Sequence, residues 1–428
     1  MSGAADNALG LYVSIPFCRS KCTYCNFASG VYPASDHERY VERLIEDFGS
    51  ARKWTEGVGA ELPRRVDTVY LGGGTPTVLS AELLARLFRA MRAGFDVDVN
   101  AEITVECAPG QMDDATLEAM AAAGVNRVSL GVQSFVDSEA RASGRLHNRA
   151  MVEADLRRLR NAGIVNLNVD LIAGLAGQTQ ASWDESLDVM IDSGVPHASI
   201  YMLEVDEDSR LGREILAGGS RYRAGLVPND DAIARMYERA IERLQAAGLD
   251  QYEISNFCLP DFYSRHNFRY WERRPYLGVG LDASSMLRGH ATRALHAAAS
   301  WRGASRGSES SAPIPALRTK TTDDLKEYLA GPRIVESEWL SPEQQHEEAW
   351  FLGLRLNEGV DVAAFEDEFG RAMVEPALEI VRRLVDDGLL TFDGKRVRLT
   401  ARGRLISNDV FEEFLGLRTC ADEARHSA

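Results

Sequence analysis

Leu11-Tyr-Val-Ser-Ile-Pro-Phe17 runs directly into Cys18-Arg-Ser-Lys-Cys22-Thr-Tyr-Cys25. The first half is a β-branched and aromatic run that reads as a strand. The second half holds three of the six cysteines within eight residues. Thiolates this close together on one loop converge on an iron–sulfur cluster, for which sulfur is the preferred soft ligand. Only three are offered, because the position two after Cys25 is Phe27. A four-iron cubane held by three thiolates keeps one iron without a protein ligand, and an open iron is a place for a small molecule. Zinc fits less well: it wants four ligands in paired spacing, and the only nearby addition is His37, with no second spaced pair. Six cysteines in 428 residues are too sparse for a disulfide scaffold.

Outward from this strand one unit repeats. Short β-branched or aromatic runs recur at Leu11–Ile15, Thr68–Leu71, Glu102–Val105, Arg127–Leu130, Asn166–Ile172 and Ala198–Leu203. Helical patterns separate them. Ala81 to Met91 places Leu83, Leu84, Leu87, Phe88 and Met91 along one side, with Ser80 as N-cap, and Ser182-Trp-Asp-Glu185 has capping-box spacing. Gly94, Gly124, Gly163, Gly194 and Gly248 mark helix ends. Strand–helix alternation at this interval predicts an α/β fold with a parallel sheet and right-handed crossovers, and six units suit an open, partial barrel. Chemistry in such barrels sits where strands end. The unusual residues fall there: strand one leads into the cysteines and strand two into Gly72-Gly-Gly-Thr-Pro76. Strand three ends in Glu106, strand four in Gln133, and strand five contains Asp170.

CxxxCxxC after a strand resembles the radical S-adenosylmethionine (SAM) superfamily. Tyr12-Val-Ser-Ile-Pro-Phe-Cys18 is similar to the subgroup containing oxygen-independent coproporphyrinogen III dehydrogenase and the heme chaperone family HemW. The resemblance implies a partial (β/α)6 radical SAM barrel. It also implies a [4Fe–4S] cluster on Cys18, Cys22 and Cys25, whose open iron takes the amino and carboxylate groups of SAM and cleaves its sulfonium to a 5′-deoxyadenosyl radical. Tyr12, Gly74, Thr75, Glu106, Gln133, Arg145 and Asp170 align with SAM-contacting positions of the subgroup. Gly174-Leu-Ala-Gly-Gln178 carries Ala176 where relatives usually have proline. His266-Asn-Phe-Arg-Tyr-Trp271 is the HNxxYW pattern characteristic of the heme chaperones, and implies His266 as a heme ligand beside an aromatic surface. Gly280-Leu-Asp-Ala-Ser-Ser285 departs from the family's Gly-Pro-Gly-Ala-His-Ser run. The dehydrogenase usually has a further cysteine at the position of Phe27 and a longer N-terminal extension. HNxxYW, Phe27 and the short N-terminus favour the chaperone over the dehydrogenase, with a radical SAM methyltransferase as a third reading.

Length suggests a large domain plus a smaller one. Residues 1–260 are expected to form the barrel. The segment 261–340 carries HNxxYW and an Ala-, Ser- and Gly-rich insertion at 297–315, and 341–428 forms a mainly helical, winged-helix-like domain with a hairpin turning at Asp393-Gly394. The chain has 48 Lys and Arg against 64 Asp and Glu, a net charge of −16. The winged-helix segment alone holds 11 Lys and Arg against 18 Asp and Glu, a net of −7, so nucleic acid is rejected as a partner and a docking role is expected. No signal peptide and no apolar run long enough for a membrane span is read, and reduced thiols fit the cytoplasm. Heme, heme-acceptor proteins, an electron donor and a possible homodimer complete the expected partners.

Overall fold

A computed structural model describes residues 8–290, 314–331 and 336–417. The insertion expected at 297–315 lies almost wholly outside the described residues. Six parallel strands follow in chain order: β1 (Leu9–Ile15), β2 (Arg65–Gly73), β3 (Asp96–Cys107), β4 (Arg127–Gln133), β5 (Asn166–Ala173) and β6 (His197–Met202). All six strands expected from the sequence are present, and helices cross over between them.

Alternation along these strands explains the architecture. Leu11, Val13 and Ile15 of β1, Val69 and Leu71 of β2, and Leu167, Val169 and Leu171 of β5 are buried in the large apolar core, together with helix residues such as Leu84, Leu87 and Phe88. The residues between them are polar: Tyr12 and Ser14, Thr68 and Tyr70, Thr104 and Glu106, Arg127 and Ser129, Asn168 and Asp170, Ser199 and Tyr201. Successive strand residues point to opposite faces. The strands therefore put their apolar sides under the helices and their polar sides toward the barrel interior, which is a binding space rather than an apolar core.

The sheet is wider than six strands. β7 (Asp250–Gln251) and β8 (Asn256–Cys258) add antiparallel strands beside β6. On the other edge β9 (Tyr276–Val279) pairs parallel with β1. It is continued by antiparallel β10 (Ser284–Arg288), β11 (Ala316–Lys320) and β12 (Glu336–Leu340). The strands described within the segment 261–340 are thus built into the same sheet, and Leu277, Leu287, Leu317 and Tyr328 join the same core. Residues 280–283 form the turn between β9 and β10, and Ser284 and Ser285 open β10. A Cβ on Gly280 would lie 2.4 Å from the Ser14 carbonyl oxygen, the Leu281 N–H donates to the Tyr40 hydroxyl at 2.7 Å, and Asp282 pairs with Lys320 at 3.0 Å.

Two local expectations are corrected. The capping box belongs to Thr179, whose hydroxyl accepts from the Ser182 N–H while Ser182 reaches back to the Thr179 N–H; Ser182 is the third helical residue, not the cap. Gly94 remains the last residue of its helix, Ala81–Gly94, whereas Gly124, Gly163, Gly194 and Gly248 do take the left-handed conformation of helix stops.

The C-terminal unit opens with the helix Pro342–Arg355, capped by a Ser341–Gln344 box. Helices Val362–Phe369 and Arg371–Asp386 follow, with a small sheet of β13 (Val360–Asp361), β14 (Leu390–Phe392) and β15 (Arg396–Leu399). Its own core gathers Trp350, Val374, Val381, Val397 and Phe414. It is fastened to the barrel by buried Glu253 against Arg355 at 2.8 Å and by a two-pronged Arg273–Glu368 pair at 2.9 and 2.7 Å. No helix among the described residues is long and apolar enough to cross a membrane.

Candidate functional site

The loop after β1 is tied down on every side. At its neck the Cys18 N–H donates to the Gly30 carbonyl at 2.8 Å and the Gly30 N–H to Pro16 at 2.9 Å. Lys21 Nζ donates back to the carbonyls of Phe27 and Ser29 at 2.6 and 2.8 Å. The Thr23 N–H is held by Ser143, and the Thr23 carbonyl accepts from the Leu211 N–H at 2.8 Å. Cys18, Cys22 and Cys25 are free, partly exposed thiols. All three line one cavity of about 580 Å³ at the C-terminal ends of the barrel strands.

The glycine run after β2 lies against this loop. The Gly74 N–H donates to Ile15 and the Thr75 N–H to Phe17, both at 2.8 Å. A Cβ on Gly74 would stand 2.7 Å from the Ile15 oxygen and 2.9 Å from the Phe17 oxygen, so no other residue fits. The Thr75 hydroxyl faces Cys18 Sγ at 3.8 Å. Burial pushes the Cys18 thiol up, and the Thr75 and Ser29 hydroxyls work against that.

Two acids face the same space. Glu106 accepts a hydrogen bond from the Tyr70 hydroxyl at 2.8 Å. Burial raises its carboxyl to about 7 in spite of that bond. Asp170 accepts from Ser129 Oγ at 3.1 Å and Asn168 Nδ2 at 2.7 Å, and burial pushes its carboxyl up as well. Gln133 sits at the irregular end of β4 with φ 69°, and its buried Oε1 has no partner. Arg145 donates to the Tyr24 hydroxyl at 2.9 Å and leaves its buried Nε unpaired.

Nine expected site residues therefore line one cavity: Cys18, Cys22, Cys25, Gly74, Thr75, Glu106, Gln133, Arg145 and Asp170. Tyr12 does not line it; its ring stacks on Tyr70 at 6.2 Å, one layer behind Glu106. His266 does not line it either. The ring of His266, the expected heme ligand, is fully buried; Nδ1 meets Thr68 Oγ1 at 2.9 Å, and Nε2 meets the Tyr270 hydroxyl at 2.9 Å. Both imidazole nitrogens are engaged in this conformation, so heme ligation by His266 requires one of these two hydrogen bonds to open.

A [4Fe–4S] cluster and SAM do fit the cavity. Cys18, Cys22 and Cys25 offer three soft thiolates on one loop of the cavity wall. Unpaired buried donors and acceptors on Gln133, Arg145 and Arg127 point to a polar ligand between them. Cys18, Cys22 and Cys25 would hold the cluster, which supplies an electron and an open iron. Glu106 and Asp170 offer acceptors for an amino group or for hydroxyls, Arg145 a cation for a carboxylate, and Gly74 the close backbone approach.

Several lining residues escaped the sequence reading: Tyr24, Arg127, Asn168, Ser199 and Asn267. The period-two placement of Arg127 with Ser129, and of Asn168 with Asp170, was the available signal. Cys107 and Cys258 are buried.

The comparisons agree with this geometry. Residues 12–190 match the Radical SAM superfamily model and residues 340–406 the HemN C-terminal domain model. The heme chaperone HemW of Lactococcus lactis is 34% identical, over 94% of this chain and 96% of its own. The HemW of Bacillus subtilis is 30% identical, over 95% of this chain and 98% of its own. In fold, the chain is similar to coproporphyrinogen III oxidase (HemN) of Escherichia coli, with a TM-score of 0.76, 22% identity and coverage of 96% and 90%. With the cysteine loop, the polar barrel interior and a relative this similar along nearly its whole length, the chain belongs to the HemW heme chaperone family of radical SAM proteins.

Proposed function

We propose that this protein binds heme and passes it to heme-acceptor proteins, on a scaffold carrying a [4Fe–4S] cluster and SAM in the barrel cavity. The observation that carries the reading is the 34% identity to a heme chaperone over 94% of the chain. Cys18, Cys22 and Cys25 hold the cluster, and Gly74, Thr75, Glu106, Gln133, Arg145 and Asp170 surround SAM, with Tyr12 behind them. An electron donor reduces the cluster in the cytoplasm, and the protein works alone or as a homodimer. Phe27, where the dehydrogenase usually has a cysteine, is 64% exposed beside the cluster loop and adds no fourth sulfur.

The test is heme transfer. Heme added to the anaerobically reconstituted protein is expected to give a Soret band, which then moves to an apo heme protein mixed with it. Absence of heme binding overturns the reading. Conversion of coproporphyrinogen III to protoporphyrinogen IX under reducing, anaerobic conditions replaces it with the dehydrogenase.

A further inference from the structure

We infer that His266 and Asn267 serve the SAM cavity from beneath, Asn267 as part of its wall and His266 as the positioning residue that sets Tyr70 against Glu106. The inference deepens the proposed SAM site and rests on SAM binding there.

The helix Arg265–Trp271 packs against β2. Its first N–H groups are received by one carboxylate: Arg265 N–H donates to Glu102 Oε2 at 3.0 Å and His266 N–H to Oε1 at 2.9 Å. Ser264 caps Asn267, and Arg269, fully buried, donates from Nε to Thr68 Oγ1 and from Nη1 to the Ala8 and Pro275 carbonyls at 2.9, 2.9 and 3.1 Å, while also pairing with Asp67. The helix is thereby locked to β1, β2 and β3. This lock brings Asn267 to the cavity, beside the strand layer that contains Tyr70 and Arg127.

The lock also holds the imidazole at both nitrogens. Thr68 Oγ1 accepts from Arg269 Nε and meets His266 Nδ1, each at 2.9 Å. His266 Nε2 meets the Tyr270 hydroxyl at 2.9 Å. Burial, aided by the Arg127 charge, lowers the imidazole to about 3 and keeps it neutral. This neutral ring packs against Tyr70 with centroids 5.3 Å apart, on the ring whose other neighbour is Tyr12 at 6.2 Å. Held there, Tyr70 delivers its hydroxyl to Glu106 at 2.8 Å. The first two residues of HNxxYW thus act on the cavity, one through a single intervening ring and one directly.

The test measures SAM binding to the reconstituted, heme-free protein by equilibrium dialysis between pH 5.5 and 8. Donation from Tyr70 favours the Glu106 carboxylate. Loss of the ring beneath Tyr70 in His266→Gln is expected to weaken SAM about tenfold or more and to move the pH midpoint of binding upward. Tyr70→Phe is expected to give the same shift, and the double variant no further shift, because both changes break one relay. His266→Asn, which can still hydrogen-bond to Thr68, is expected to recover part of the affinity and guards against a variant that does not fold. Wild-type affinity and midpoint in His266→Gln, or shifts that add in the double variant, overturn the inference. Failure of the wild-type protein to bind SAM would instead overturn the site reading beneath it.

Discussion

Glu106→Gln isolates the most informative charge in the cavity. The carboxyl titrates at about 7, against about 4.5 in an unperturbed glutamate, chiefly because it is buried. If the carboxylate accepts a hydrogen bond from the iron-bound amino group of SAM, affinity falls as the carboxyl takes up its proton. With a midpoint at about 7, the dissociation constant at pH 6 is about tenfold above its high-pH limit, or about 1.4 kcal/mol. At pH 8 the wild type lies close to that limit. The α-amino group of SAM itself loses its proton above about pH 7.7, so the informative quantity is wild type relative to Glu106→Gln. The glutamine keeps an acceptor for Tyr70 but carries no charge. We expect affinity lowered by about 3 kcal/mol, roughly a hundredfold, and no inflection near pH 7. The assay is SAM titration calorimetry at pH 6, 7 and 8 on the anaerobic protein. An inflection near pH 7 that survives in Glu106→Gln, or a flat wild-type profile, would refute the assignment. The same shift has a stability sign: the folded state holds its proton more tightly than the unfolded one, so ligand-free stability falls as pH rises from about 4.5 to about 7. Glu106→Gln should lose that part of the decline.

Further predictions concern the loop, the glycine run and the domain junction. Serine at Cys18, Cys22 or Cys25 should abolish four-iron absorbance after reconstitution, whereas alanine at buried Cys107 or Cys258 should retain it. Gly74→Ala drives a methyl group into the Ile15 and Phe17 carbonyls, so SAM binding should drop at least tenfold and stability by about 1–3 kcal/mol, read by calorimetry and thermal melting. Arg355→Ala leaves the fully buried Glu253 without its cation, and because Arg355 itself is 32% exposed the cost should fall to about 2–3 kcal/mol from the 3–5 of a fully buried pair. Limited proteolysis should then cut between barrel and C-terminal unit sooner; unchanged protection would count against the junction as described.

Much of this was legible because strands alternate. The run Leu11 to Phe17 ending at Cys18 announced both a core strand and a loop of ligands, and the strand-end positions of Glu106, Gln133 and Asp170 followed from the repeated unit. β9 and β10 were harder to see. They are short, Gly278 interrupts β9, and they are strands only because β1 and β11 pair with them. Arg127 was hidden at the start of an apparently apolar run, although its spacing to Ser129 puts both on the inner face. Thr179 was passed over as a cap because the Ser-x-x-Glu pattern three residues later is the more familiar sign. His266 shows a deeper limit: a histidine among aromatics looks the same in sequence whether its nitrogens are free or engaged. Here one of its partners is Thr68, 198 positions away.

The central claim is that three thiolates leave one iron open to SAM. The most direct measurement is electron paramagnetic resonance of the reduced, reconstituted protein, with and without SAM labelled with ¹⁵N at its amino group. The account predicts a four-iron signal that changes on SAM addition and carries coupling to the labelled nitrogen. A cluster signal indifferent to bound SAM, with no such coupling, would contradict it.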